Sequence, residues 1–257
     1  MAQLLSSTIY GLLTVTGSLL AGGVAPTGFR SINLVVFTTG DSQTYTPTLN
    51  TIGVFVICTG SGGGGGGADT NASVGAGGAG GGGAGGTSMA FFNVTELGAN
   101  ALYTVGSQGT AGSTSGGNGG AGGNTTFNPA GTGATLTANG GSGGTGTGLL
   151  TADFVGSGGA GGSASNGTIN FSGSTGGEGF GVRPTSGNVA VGGNGGSSFW
   201  GGSGRHSARV TNGSTAATSN DGAYGTGGSG ACVINTTTGA SGGSGVRGVI
   251  FIVEFIG

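Results

Sequence analysis

Hydrophobic positions in this chain fall into short runs, separated by long stretches of glycine and small polar residues. Residues 7–23, STIYGLLTVTGSLLAGG, alternate β-formers with glycine in runs too brief to make a stable sheet within one chain. They predict a β-repeat that needs partner strands from sister copies. Two further runs, 32–38 (INLVVFT) and 53–59 (GVFVICT), flank the polar segment GDSQTYTPTLN with its Pro47 and predict a strand pair of a small closing sheet. The run 246–256, VRGVIFIVEFI, has strand length and composition and is expected to pair with 53–59. Residues 89–105 and 124–137 each read as a hairpin, with turns at Gly98-Ala99-Asn100 and Pro129-Ala130-Gly131.

From Gly60 onward, Gly-Gly-X tracts with a small third residue recur at 62–67, 75–86, 116–123, 140–148, 156–162, 192–196, 201–204, 225–230 and 242–245, nine in all. Ordering glycine costs more backbone entropy than ordering any other residue, so the tracts need compensating bonds. A polyproline-II-type helix has three residues per turn and no internal hydrogen bonds, so it turns every N–H and C=O outward. Glycine lets neighbouring helices approach closely enough to bond to one another. The pattern therefore predicts a bundle of such helices. Collagen requires uninterrupted Gly-X-Y with abundant proline, whereas this chain has four prolines and broken tracts.

Composition sharpens that reading. The chain has 257 residues, of which 72 are glycine, and only 5% are charged. Its 34% hydrophobic content argues for order rather than for a flexible linker. All five basic residues are arginine, against seven acids, which leaves no basic footprint for nucleic acid. The absence of lysine excludes a Walker A loop, and GxGxxG matches carry no information at this glycine content. Cys58 and Cys232 are expected to be buried free thiols. The apolar stretch 12–25 is short and interrupted by polar residues, and reads neither as a membrane span nor as a signal peptide.

With a single histidine, catalytic and metal constellations are scarce, so neither a cofactor nor an enzymatic activity is expected. A carboxylate set of Asp153, Glu178 and Asp221 is the one arrangement that would suit glycoside cleavage. Bulky and polar-tipped side chains concentrate instead in the inserts of the C-terminal half. Arg183, Trp200, Arg205, His206, Arg209 and Tyr224 are the candidate receptor-binding residues, because aromatic and arginine side chains at loop tips suit recognition of sugars or protein loops. The plainer alternative has Phe199, Trp200 and Tyr224 covering the sides or ends of the bundle, with Arg183, Arg205, His206 and Arg209 as solvated loop charges.

The order of parts resembles the glycine-rich adhesin domains of tailed-bacteriophage tail fibres. The resemblance runs through QTYTPTLNTIGVFVICTGSGGGGGGA, FFNVTELGANALYTVG, NGGAGGNTTF, GGNGGSSFWGGSG and GVRGVIFIVEFIG, and it covers about residues 30–257. STIYGLLTVTGSLLAGG resembles the short β-repeats that trimerise phage fibre shafts. The resemblance implies a mostly β and irregular fold: a packed polyglycine-II helix sandwich closed by short β-strands and hairpins, with residues 1–28 a trimerisation or virion-attachment repeat and 29–257 the adhesin domain. It further implies a virion protein, a homotrimer, whose partners are a bacterial outer-surface protein or glycan and other fibre or baseplate proteins. The competing readings are a structural or decorative fibre without a receptor and an ice-binding protein built on similar helices.

Overall fold

The computed structural model describes residues 31–69, 75–148, 154–182, 188–203, 206–217 and 223–257. The expected N-terminal repeat, 1–28, and the stretch 12–25 lie outside the described residues. In chain order the elements are β1 (Ser31–Phe37), β2 (Gln43–Tyr45), β3 (Thr51–Thr59), β4 (Ala76–Gly78), β5 (Thr87–Asn93) and α1 (Val94–Leu97). Next come β6 (Ala101–Thr104), β7 (Thr125–Pro129), β8 (Leu136–Ala138), β9 (Phe154–Gly156), β10 (Ala164–Ser165) and β11 (Ile169–Phe171). The last are β12 (Gly179–Val182), β13 (Val189–Val191), β14 (Ala208–Arg209), β15 (Gly213–Thr215), β16 (Cys232–Ile234) and β17 (Val249–Ile256). The fold is therefore mostly β and irregular, with a single one-turn helix among the described residues.

Two five-stranded sheets face each other at one end, in the orders β1-β17-β3-β5-β11 and β10-β8-β7-β6-β2. Period-two alternation drives the long strands: Val54, Val56, Cys58, Ile250 and Ile252 point into a shared core with Tyr45, Phe92, Leu97, Tyr103, Phe127 and Leu136. As expected, β17 pairs with β3, from Val249 opposite Thr59 to Ile256 opposite Thr51. The runs 32–38 and 53–59 do share a sheet but do not pair with each other, because β17 lies between them. The hairpin expected over 124–137 forms as β7 and β8, with Phe127 opposite Leu136.

The hairpin expected over 89–105 does not form. β5 joins the first sheet and β6 the second, with α1 carrying the chain across. The cause is a capping box. The Asn93 side chain accepts from the N–H groups of Thr95 and Glu96, and the Glu96 carboxylate accepts from the Asn93 N–H at 2.9 Å.

Between this end and the other run the glycine-rich segments, which bond laterally in a three-residue rotation. In 60–68, Gly60, Gly63 and Gly66 donate to Gly86, Gly83 and Gly80. Ser61, Gly64 and Gly67 donate to Gly123, Gly120 and Gly117, and Gly62, Gly65 and Ala68 to Val246, Gly243 and Ala240, all at 2.8–3.1 Å. The carbonyls of the same segment accept from 109–112, 141–147 and 228–231, so it has six bonded neighbours. Segment 79–86 likewise bonds to six: 60–66, 139–145, 159–162, 174–177, 193–196 and 225–231. The other eight segments bond to one another in a closed ring around these two, for ten among the described residues.

Eight of the nine tracts expected from sequence belong to this set. Tract 201–204 does not: a Cβ at Gly202 would meet nothing within 4 Å. The two missed are 106–112 and 173–177. Segment 106–112 carries glycine only at every third position; Gly109 and Gly112 donate to 60–68, while the carbonyls of Ser107 and Thr110 accept from 117–123.

Bond directions show that successive segments alternate in sense: 60–68 is parallel to 141–147 and antiparallel to 80–86 and 117–123. All connections therefore emerge at one of two ends. The end carrying the two sheets is called the base. The far end carries a seven-stranded sheet in the order β14-β13-β12-β9-β4-β16-β15, over small cores that include Ala190, Cys232, Val233 and Ile234.

Candidate binding surfaces

The alternation of segments separates the sequence-predicted site residues. Trp200 and Tyr224 lie at the base, half-buried. The Trp200 indole N–H donates to Thr59 Oγ1 at 2.9 Å, and the Ser198 hydroxyl donates to the Tyr224 carbonyl at 2.6 Å. Trp200 packs on Phe251, with ring centroids 5.9 Å apart, and edge-on against Phe199, which stacks on Phe171. Trp200 therefore seals the point where β3 hands over to the first glycine segment, in keeping with the plainer reading for this residue. Phe199 and Phe171 are each about half exposed.

His206 and Arg209 lie toward the far end. His206 is exposed, and its backbone N–H donates to Asn194 Oδ1 at 2.7 Å. Arg209 sits in β14 beside β13, with Ala190 as its cross-strand partner. Its guanidinium donates to the carbonyls of Thr211, Asn212 and Ser214 and to Thr215 Oγ1, at 2.9–3.3 Å. The charge thus braces the turn from β14 into β15 rather than standing free. Gly213, at φ +134°, is required there, since an added Cβ would meet Arg209 Nη2 at 2.3 Å. Arg183 and Arg205 are outside the described residues.

The far end also presents apolar side chains that were not among the candidates: Val155, Phe180, Val182 and Val210, exposed by 41–73%. Phe180 lies opposite both Val155 and Val191, and Val182 opposite Val189. The signal for them is the strand GFGV, where glycine alternates with a large apolar residue. A Cβ at Gly179 or Gly181 would come within 2.2 Å of a carbonyl oxygen of the adjacent segment, so only glycine fits inward and the large residues face out.

Reactive groups are sparse. Cys58 and Cys232 are free and buried as expected, and burial pushes both thiols up, away from the reactive thiolate. Among the described residues no three His, Cys, Asp or Glu side chains gather as metal ligands would. Of the carboxylates weighed for glycoside cleavage only Glu178 is described, and it is exposed. Among the described residues the one buried carboxylate is Glu254, at the base. It accepts from Tyr45 Oη and Thr48 Oγ1 at 2.6 Å, from Asn33 Nδ2 at 2.7 Å and from the Thr48 N–H at 3.1 Å. Burial alone would raise its carboxyl, but these four donors outweigh it and hold it below the usual range; the same contact and burial push the Tyr45 phenol up. The network ties the 45–48 turn to β1 and β17 and opens onto no cavity.

A shallow polar cleft of about 460 Å³ lies at the base between Thr38–Asp41, Val105–Gln108 and Arg247. The Arg247 guanidinium borders it and donates to the Thr38 carbonyl at 3.4 Å. Neither a protein-family model nor a curated protein matches this chain.

Proposed function

We propose that this chain is a non-enzymatic virion fibre protein of the tailed-bacteriophage type, an adhesin that carries receptor-binding loops on a rigid polyglycine-II scaffold. The observation that carries the reading is the three-residue rotation of backbone bonds through ten segments, each of which reverses the one before. Three residues per turn and outward-facing amides are the properties of a polyglycine-II helix. The bond partners arrange the helices in three layers of three, four and three, the middle row being 106–112, 60–68, 79–86 and 173–177.

Such a sandwich confines most sequence variation to its ends and outward third positions, because at most of its inward glycines an added Cβ would meet a neighbouring carbonyl. A rigid body with tolerant connections suits a protein that must hold a surface-reading face away from a particle. The far end is the receptor face, with Phe180, Val182 and Val210 exposed on it and the connection that holds Arg183 leading from it. The base is the attachment side, since the chain from residues 1–30 enters there through β1. The receptor is an outer-surface protein or glycan of a bacterium, and the chain acts as a homotrimer with other fibre or baseplate proteins.

Binding of the labelled full chain to intact candidate bacteria tests this reading, with protease-treated and glycan-stripped cells alongside. Saturable binding lost on one treatment is the expected result and names the receptor class. No binding across a broad panel points instead to a structural or decorative fibre.

A further inference from the structure

Seven of the fifteen exposed large hydrophobics among the described residues lie on or beside the outward face of the base sheet. Three cross-strand rows cover it: Val36, Phe251, Ile57, Met89 and Ile169; Leu34, Val253, Phe55 and Phe91; and Ile32 beside Phe255. Phe171 and Phe199 extend it past β11. Ile32, Leu34, Val36, Phe91, Ile169, Phe171 and Phe199 are each 45–55% exposed, and none of the named side chains is charged. Gly53 is part of the surface: an added Cβ would meet Phe91 Cζ at 2.4 Å, so the ring lies over that glycine and against Phe255.

At about half of the ~150–250 Å² of an aromatic side chain for Phe91, Phe171 and Phe199, and less for the four aliphatics, these seven residues leave on the order of 600 Å² of apolar surface open to solvent. That stands at the upper end of the ~300–600 Å² of the largest patch on a typical monomer. It approaches the ~800 Å² that each partner contributes to a stable protein interface.

We infer that this face is an interface between copies of this chain. A receptor on a bacterial surface would not supply the cover, because the face lies at the base, away from the far-end connections. The area and the absence of charge match an obligate contact, whose centre resembles a domain core. β1, at the edge of this sheet, is also where residues 1–30 join the described chain, so association through the face brings the N-terminal β-repeats of neighbouring copies together. The inference rests on the fibre reading for the receptor's place at the far end and for the number of copies, three.

The test uses the full chain in light scattering coupled to gel filtration, with two reporters. Leu34→Asp and Phe91→Asp each place a charge on the face at an exposed position. Leu34→Cys and Leu49→Cys compare thiol modification at the face with modification at a site 83% exposed, against a background of two buried native thiols. The expected results are a mass about three times the 23.6 kDa of one chain, a fall to the single-chain mass in both Asp variants, and modification of L34C at least tenfold slower than of L49C. A single-chain mass for the unsubstituted protein overturns the inference. If L34C is nonetheless protected in that case, residues 1–30 of the same chain are the cover. An assembled chain whose L34C reacts as fast as L49C overturns it as well, since the contacts then lie elsewhere. Loss of bacterial binding leaves these readings untouched, so the two proposals fail separately.

Discussion

A Cβ added at Gly65 would sit 1.9 Å from the Ser229 carbonyl oxygen, and one at Gly64 the same distance from that of Thr110. These obstacles are backbone atoms of bonded neighbours, so no side chain can swing aside. Gly65→Ala is therefore expected to cost about 3 kcal/mol or more. At this chain length that lowers Tm by roughly 6–12 °C. Ala160→Ser, at an exposed third position of its segment, should leave Tm nearly unchanged in the same scan.

Glu254 sets the response to acid. Its folded carboxyl lies below the ordinary value, so its contribution is fully present above about pH 5, near the top of the unfolded glutamate titration, and is lost as pH falls through the folded value. Glu254→Gln removes the charge and turns an amide N–H₂ toward donors, which should cost about 2–3 kcal/mol at neutral pH. It should also flatten the acid limb of a Tm–pH curve; an unchanged acid limb would show that other carboxylates govern it.

At the scale of elements, the strands at 53–59 and 246–256 and the 124–137 hairpin were legible in the sequence, because they depend on local pattern, whereas the far sheet, built of strands two to four residues long, was not. The 89–105 region was not, because its outcome turns on four residues, Asn93 to Glu96, whose capping box competes with a turn at Gly98. The glycine segments were legible as a class but not one by one. Glycine is continuous at 62–67, where six neighbours pack, but the segments with three neighbours differ: two in three at 156–162 and every third at 106–112. Searching for Gly-Gly pairs alone finds 201–204 and misses 106–112. The site residues were the least legible: Trp200 bonds to Thr59, distant in sequence, and Arg209 folds back on the carbonyls of its own turn, which nothing in the local pattern marks.

This difference in neighbours predicts a gradient in native-state hydrogen exchange. Amides of 62–67 and 79–86 should exchange only with global unfolding, whereas those of the exposed 210–212 turn should exchange at near-loop rates. Uniformly fast exchange through both central segments would be the behaviour of a glycine linker.

For the whole molecule, alternating segments convert a nearly featureless sequence into a body with two unlike ends. The far end offers separate apolar side chains and connections whose length the scaffold does not dictate. The base offers a continuous sheet face and a buried carboxylate network. If the far end reads the receptor and the base assembles the fibre, substitutions at the two ends should have separable effects.

The most direct measurement is saturation binding of the full chain to bacteria that bind it, comparing the far-end variant Phe180→Ser/Val210→Asp with the base variant Thr38→Ala/Gln108→Ala at the polar cleft. At least tenfold weaker binding is expected for the far-end variant, with its Tm unchanged, and unaltered binding for the base variant. Full binding by the far-end variant together with loss in the base variant would contradict it and move the receptor face to the other end of the molecule.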